Sequence, residues 1–237
     1  MKLAVIAPPQ AQGIVFTMRM SFHLVLAQYL EDVHYQDFYA TAHRRGDFIM
    51  LDNGAGEGVQ MTMKDLLEAA DAVQADEITM PDVIGDADAT IVAVQKNTQF
   101  VPKWQRAVCP HGSNWGEWER CAEKLISFGV ATICVGRYDN LPGGRIPALE
   151  IIVKNRWQWT HHIHMFGCAE PPIAATHREL RCAPFIRSMD SGAPIAYAQE
   201  GRLLDEGPHV SLDWKAGVND RYAERNVALL ASACNGV

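Results

Sequence analysis

The chain has no long hydrophobic run. No stretch approaches the ~20 apolar residues of a membrane-spanning helix, and the opening MKLAVIAPPQ lacks the layout of a signal peptide. A cytoplasmic protein with no membrane partner is therefore expected. Paired cysteines are missing as well. Cys109, Cys121, Cys134, Cys168, Cys182 and Cys234 are widely spaced with no CxxC, which argues against a zinc ribbon or a disulfide framework and for reduced thiols. Positive charge is short, with 21 Lys+Arg against 28 Asp+Glu and a net charge of −7. The deficit lies wholly in residues 1–150, which hold 12 basic against 19 acidic residues, while the remainder holds 9 of each. Non-specific gripping of nucleic acid rests on Lys and Arg, so this balance is a poor basis for it. A local basic rim from Lys154, Arg156, Arg178, Arg181, Arg187 and Arg202 stays open, next to the plainer reading of solvated surface charge. Repeats, low-complexity tracts and linkers are also absent, so a single domain over 1–237 is expected.

What the chain does have is a succession of short apolar, β-branched runs, most of them followed by a segment of helical character. Strands are expected near Leu3–Ala7, Phe22–Ala27, Phe48–Leu51, Glu77–Met80, Arg106–Cys109, Thr132–Gly136, Ile163–Phe166 and Phe185–Met189. The clearest helical stretches are Met63–Val73, Ala87–Lys96, Trp115–Phe128, Pro147–Asn155 and Ile173–Arg181. In Trp115–Phe128, apolar Trp118, Cys121, Leu125 and Phe128 recur at spacings of three and four, the stripe of a helix laid on a sheet. Strands alternating with helices at this spacing predict a parallel sheet, and eight of them predict an α/β fold closed as a compact (β/α)8 TIM barrel. Residues 192–237 then form a C-terminal extension in which 219–233 makes a closing helix through Val227, Leu230 and Ala231.

Chemistry in such barrels gathers at the carboxyl ends of the strands. Those ends read LDNGAGEG with Asp52, TMPDVIGD with Asp82, VCPHGSNWG with His111 and Gly112, CVGRYDN with Gly136 and Arg137, HMFGCAEP with Gly167, and SMDSGAP with Asp190. Each aspartate alone is an ordinary turn residue. Three of them at one mouth, among glycines that permit close backbone approach to a flat ligand, fit glycosyl transfer. One ionised carboxylate attacks the anomeric carbon, a second group moves the leaving group's proton, and a third can accept hydrogen bonds from the amidine-like edge of a purine. Crowded carboxyls should raise at least one pKa, which supplies the acid form.

In order and spacing these motifs resemble the tRNA-guanine transglycosylase superfamily, over roughly residues 45–200. FIMLDNGA is similar to the family's Asp-Ser-Gly-Gly strand end, which implies proton transfer by Asp52. EITMPDV is similar to its Asp-Glu-Cys segment, implying that Asp82 reads the base. CVGRYDNL corresponds to the Val-Gly-Gly-Leu base loop, with Gly136 and Arg137, and His111–Gly112 to a Gln-Gly pair. HMFGCAEP carries Gly167 in the place of Leu-Met-Gly-Val-Gly-x-Pro. IRSMDSGAP matches the stretch whose aspartate is the nucleophile, implying that Asp190 attacks the sugar C1′. The family's Cys-x-Cys-x-x-Cys…His zinc element has no counterpart. The resemblance therefore implies no metal, no cofactor, a free 7-deazaguanine base as second substrate, and a nucleic-acid partner. DNA is favoured over tRNA, as in the compact relatives that modify DNA, some of them encoded by viruses of bacteria. A non-catalytic partner subunit is the further alternative. Arg145, Arg187 and Arg202 are candidate phosphate contacts, Arg145 within DNLPGGR, which reads equally as a phosphate cradle or a plain loop. In the cluster His161, His162 and His164, the last two share one strand face and are expected to be hydrogen-bonded without a metal.

Overall fold

The computed structural model describes residues 1–59, 61–138, 140–168, 180–181, 183–204 and 210–235. Eight parallel strands carry the fold: β1 Lys2–Val5, β2 Phe22–Leu26, β3 Phe48–Asp52, β4 Glu77–Thr79, β5 Arg106–Val108, β6 Thr132–Val135, β7 His162–Met165 and β8 Ser188–Ser191. They pair in the order β1-β8-β7-β6-β5-β4-β3-β2, and β1 lies beside β2 at the seam, so the sheet is a nearly closed (β/α)8 barrel. Among the described residues the helices are α1 Gln12–Thr17, α2 Val33–Arg44, α3 Met63–Val73, α4 Ala87–Asn97, α5 Trp115–Ser127, α6 Ile146–Lys154, α7 Ala193–Gln199 and α8 Asp220–Asn235. No helix among these residues is long and apolar enough to cross a membrane.

The helices begin where short polar side chains can take the first free N–H groups. Asp32 accepts from His34 and Tyr35, Thr62 from Asp65, Asp86 from Ala89 and Asn114 from Glu117. Helix α2 is not evident in the sequence because its buried face is made of Tyr35 and Tyr39 with Ala42, residues that do not read as an apolar stripe. In α5 the stripe lies as expected: Trp118, Cys121 and Leu125 are fully buried. The closing helix α8 buries Val227 and Leu230, with Ala231 packed against the same core. The helix expected over 173–181 falls mostly outside the described residues.

Side chains alternate between barrel lumen and helix layer with period two. Ala4, Phe22, Leu24, Met50, Ala107, Cys109 and Cys134 form the apolar lumen, flanked by Ile6, Phe48 and Phe166. Val25, Ile49, Leu51, Ile78 and Val108 face outward into the helices. Strand β8 starts later than the apolar run 185–189 predicts. Ala183 to Ile186 instead form a turn closed by the Ile186 N–H on the Ala183 carbonyl. Asp190 is thereby inside the strand, paired in register with Ala4 of β1, and Arg187 precedes it.

That shift corrects the phosphate role expected for Arg187. Its two terminal nitrogens each donate to a Glu77 carboxylate oxygen at 2.7 Å, across the amino-terminal floor of the barrel. The guanidinium stands over the rings of Phe22 and Phe48, 5.7 and 5.2 Å from their centroids, and Glu77 also accepts from Thr132 Oγ1 at 2.8 Å. With side chains only 17% and 4% exposed, the pair is largely desolvated. Removing one partner strands the other charge. Arg187→Ala is therefore expected to lower unfolding free energy by about 3–5 kcal/mol in urea titrations; a loss below about 1 kcal/mol would show that the floor pair is not holding the barrel.

Candidate active site

At the carboxyl-terminal mouth lies a cavity of about 700 Å³. It is lined by Asp52, Asp82, His111, Gly136, Arg137, Gly167 and Asp190, so seven of the expected site residues meet in one place. Six different strands deliver them, and only barrel closure makes them neighbours.

Asp52 ends β3 and is buried; its Oδ2 accepts the Gly54 N–H at 3.2 Å. Gly54 can turn that N–H back because it sits at φ 80°, and a Cβ there would lie 2.8 Å from Gln28 Oε1. Burial pushes the Asp52 carboxyl well above the usual carboxylate range. The charges of Glu57, Asp82 and Asp190 add to this, against the single Gly54 hydrogen bond. Glu57 is exposed on the following turn yet lines the cavity. Its carboxyl is raised by desolvation and by Asp190.

Asp82 follows β4 and is held from two sides. Asn53 Nδ2 donates to Oδ1 at 2.7 Å and to the Met80 carbonyl at 2.8 Å, tying the β3 and β4 loops together. His111 Nε2 stands 2.5 Å from Oδ2. Burial opposes charge on His111, but the Cys109 sulfur and the Asp82 carboxylate outweigh it, and the imidazole is pushed up to about 10. The Asp82 oxygens keep second lone pairs for a ligand's N–H groups.

Asp190 is buried, and its two oxygens accept the Gly167 N–H at 3.2 and 3.1 Å. Gly167 adopts φ 59°, and a Cβ there would meet the Arg137 stem at 3.1 Å. Arg137 itself is exposed at the rim. Gly136 leaves room for the Tyr138 ring, whose nearest carbon would lie 3.3 Å from an added Cβ. The Tyr138 hydroxyl donates to the Pro110 carbonyl at 3.1 Å.

Besides Arg187 on the floor, three expected contacts do not line the cavity. Gly112 packs against the first turn of α5, where a Cβ would fall 2.7 Å from the Trp118 nitrogen, so its role is close helix packing. Arg145 is buried and donates to the carbonyls of Phe166 and Gly167, bracing the loop that carries the Gly167 N–H instead of facing a phosphate. Within DNLPGGR the bracing residue is thus Arg145; Asp139 is outside the described residues. Arg202 pairs with Glu200 at 2.6 Å and stands over the Tyr197 ring, away from the lining. In exchange the mouth contains Asn53, Glu57, Cys109 and Tyr138, none singled out from sequence. Glu57 lies in the glycine-flanked turn just after Asp52, which was the one available signal.

Asp82, Cys109 and His111 place a carboxylate oxygen, a sulfur and a ring nitrogen within 4.8 Å of one another, a donor set that suits zinc. Two ligands of one tetrahedral zinc stand about 3.4 Å apart. In this arrangement His111 and Asp82 are 2.5 Å apart and bonded to each other.

No protein-family model matches the chain, and no curated protein is significantly similar to it. Solved structures share the barrel. Thiamine phosphate pyrophosphorylase from Pyrococcus furiosus superposes with a TM-score of 0.53 at 11% identity, covering 98% of this chain and 96% of its own. N-acetylneuraminate lyase from Mycoplasma synoviae gives 0.54 at 11%, over 81% and 68%. Phosphoenolpyruvate phosphomutase from Streptomyces platensis subsp. rosaceus gives 0.52 at 10%, over 84% and 76%. At such identities the likeness is one of fold.

Proposed function

We propose that the chain is a retaining base-exchange glycosyltransferase that replaces guanine in nucleic acid, DNA in the first instance, by a free 7-deazaguanine base such as PreQ0. The observation that carries this reading is the meeting of Asp52, Asp82 and Asp190 in one cavity, with burial and neighbouring charge favouring the protonated form of Asp52. A cavity of about 700 Å³ is of ligand-binding size. Asp190 attacks C1′ of the target nucleoside as the N-glycosidic bond breaks, and Asp52 delivers its proton to the departing guanine. Asp52, now a carboxylate, takes the N9 proton of the incoming base, whose nitrogen displaces Asp190 from C1′ and regenerates both groups. Asp82, oriented by Asn53 and His111, accepts hydrogen bonds from the amidine edge of the purine. Gly136 and Arg137, which line the cavity beside each other, help to hold the base. Flipping the guanine from a duplex costs a few kcal/mol, which a single strand avoids in part.

Labelled guanine and a labelled 7-deazaguanine, each offered with duplex DNA, single-stranded DNA and tRNA, test this directly. Incorporation into DNA is expected. Incorporation into tRNA alone would reassign the substrate to tRNA, and no incorporation into any of the three would sink base exchange and favour a non-catalytic partner.

A further inference from the structure

His164 stands on β7 inside the lumen, with no exposed surface. Its ring packs against Phe166 and Phe22, with centroids 4.9 and 5.7 Å away. Both nitrogens are engaged: Nδ1 lies 2.9 Å from Ser188 Oγ, and Nε2 lies 3.2 Å from Asp190 Oδ1. Ser188 Oγ also receives a long contact from Arg187 Nε at 3.4 Å, and Arg187 is the floor residue clamped on Glu77. A continuous polar line therefore runs up the lumen from the Glu77–Arg187 pair, through Ser188 and His164, to Asp190 at the mouth.

The line has a direction. A carboxylate that attacks as a nucleophile can only accept, so His164 Nε2 donates to Asp190 and Nδ1 is left to accept the Ser188 hydroxyl proton, while a Ser188 lone pair faces Arg187 Nε. With Nδ1 accepting, the ring proton sits on Nε2, aimed at Asp190 Oδ1. We infer that His164 is a positioning residue for Asp190, with Ser188 bonded to Nδ1, so that Nε2–H and the Gly167 N–H together hold the carboxylate facing the cavity. This inference rests on the reading that Asp190 attacks the sugar. The groups facing Asp190 are His164 and Gly167 from the β7 side and, across the cavity, Asp52 and Glu57. Those facing His164 are Ser188, Asp190 and the two phenylalanine rings. Without the imidazole donor, Asp190 keeps only the Gly167 N–H among these contacts and can rotate away from the attack geometry. The loss should fall on the chemical step and spare binding of the free base.

Nitrogen NMR on the ¹⁵N-labelled wild-type protein reads the tautomer without reference to any reaction. A protonated Nε2 with an unprotonated Nδ1 is expected for His164, and the Nδ1 signal should shift in Ser188→Ala as its hydrogen-bond donor is lost; the reverse tautomer would overturn the inference. In exchange assays with labelled guanine and single-stranded DNA, His164→Phe keeps the ring packing and removes the donor. It should lower kcat and the rate of covalent trapping about 10–100-fold, with KM for the base changed less than about twofold. His164→Gln, which retains an N–H near Nε2, should recover most of that loss. Wild-type kcat in His164→Phe while Asp190→Asn is dead would overturn the role given to His164 alone. Full exchange in Asp190→Asn would instead overturn the proposed reaction, and the two failures are thereby told apart.

Discussion

Asp190→Asn is expected to abolish base exchange, with kcat falling about 10⁴-fold or more and the covalent protein–nucleic acid adduct disappearing. The substitution keeps the size of the side chain, so the β8 register beside β1 and the contact with His164 should survive. What goes is the nucleophilic oxygen. The adduct is best sought in the first half-reaction, with nucleic acid present and no free base to discharge it. Mass spectrometry should then find a sugar ester on the peptide containing Asp190 in the wild type and none in the variant. Undiminished exchange in Asp190→Asn, or an adduct mapped to another residue, would remove Asp190 from the chemistry and with it the mechanism proposed above.

The second large effect belongs to Asp52. Asp52→Asn should slow exchange by about 10²–10⁴-fold, the usual worth of a positioned acid or base. Because burial and the surrounding acidic groups raise the Asp52 carboxyl, its acid form persists to higher pH than an ordinary aspartate's. The alkaline limb of the wild-type kcat/KM profile should report its deprotonation, and that limb should vanish in the asparagine variant. A stability measurement carries an independent sign. In the unfolded chain the group ionises near its ordinary value, whereas in the native state it stays protonated until its raised value is passed. Between the two, unfolding releases a proton, so native stability falls by up to about 1.4 kcal/mol per pH unit as pH rises. Asp52→Asn should therefore be less active but, in the alkaline range, more stable than the wild type. An unaltered alkaline limb together with unaltered alkaline stability would mean that Asp52 is neither buried in its acid form nor the proton donor.

How much of this was legible beforehand follows from which interactions are local. Strand alternation and the polar residue at each strand end are written within a few neighbouring positions. The barrel, the helical stripe of Trp118, Cys121 and Leu125, and the convergence of Asp52, Asp82 and Asp190 could accordingly be read from spacing. The apolar run does not locate the start of β8, because Ile186 is buried in the turn from Ala183 to Ile186 without being in a strand. That displacement of a few residues decided the fate of Arg187, which belongs to the floor and not the mouth. Arg145 looked like a phosphate ligand because an arginine after paired glycines is one pattern for it. The carbonyls it braces come from a loop 21 and 22 residues further on.

The chain's own order of residues determined the fold class and which strand ends carry carboxylates, since period-two and period-three-to-four burial patterns act over distances that a short window contains. Only the tertiary structure decided what each charged side chain faces: Asn53 on Asp82, 29 residues away, His164 on Asp190, 26 away, and Arg187 on Glu77, 110 away. A charge is stabilised by whichever donor or acceptor barrel closure brings within about 3 Å, and no local pattern records that partner.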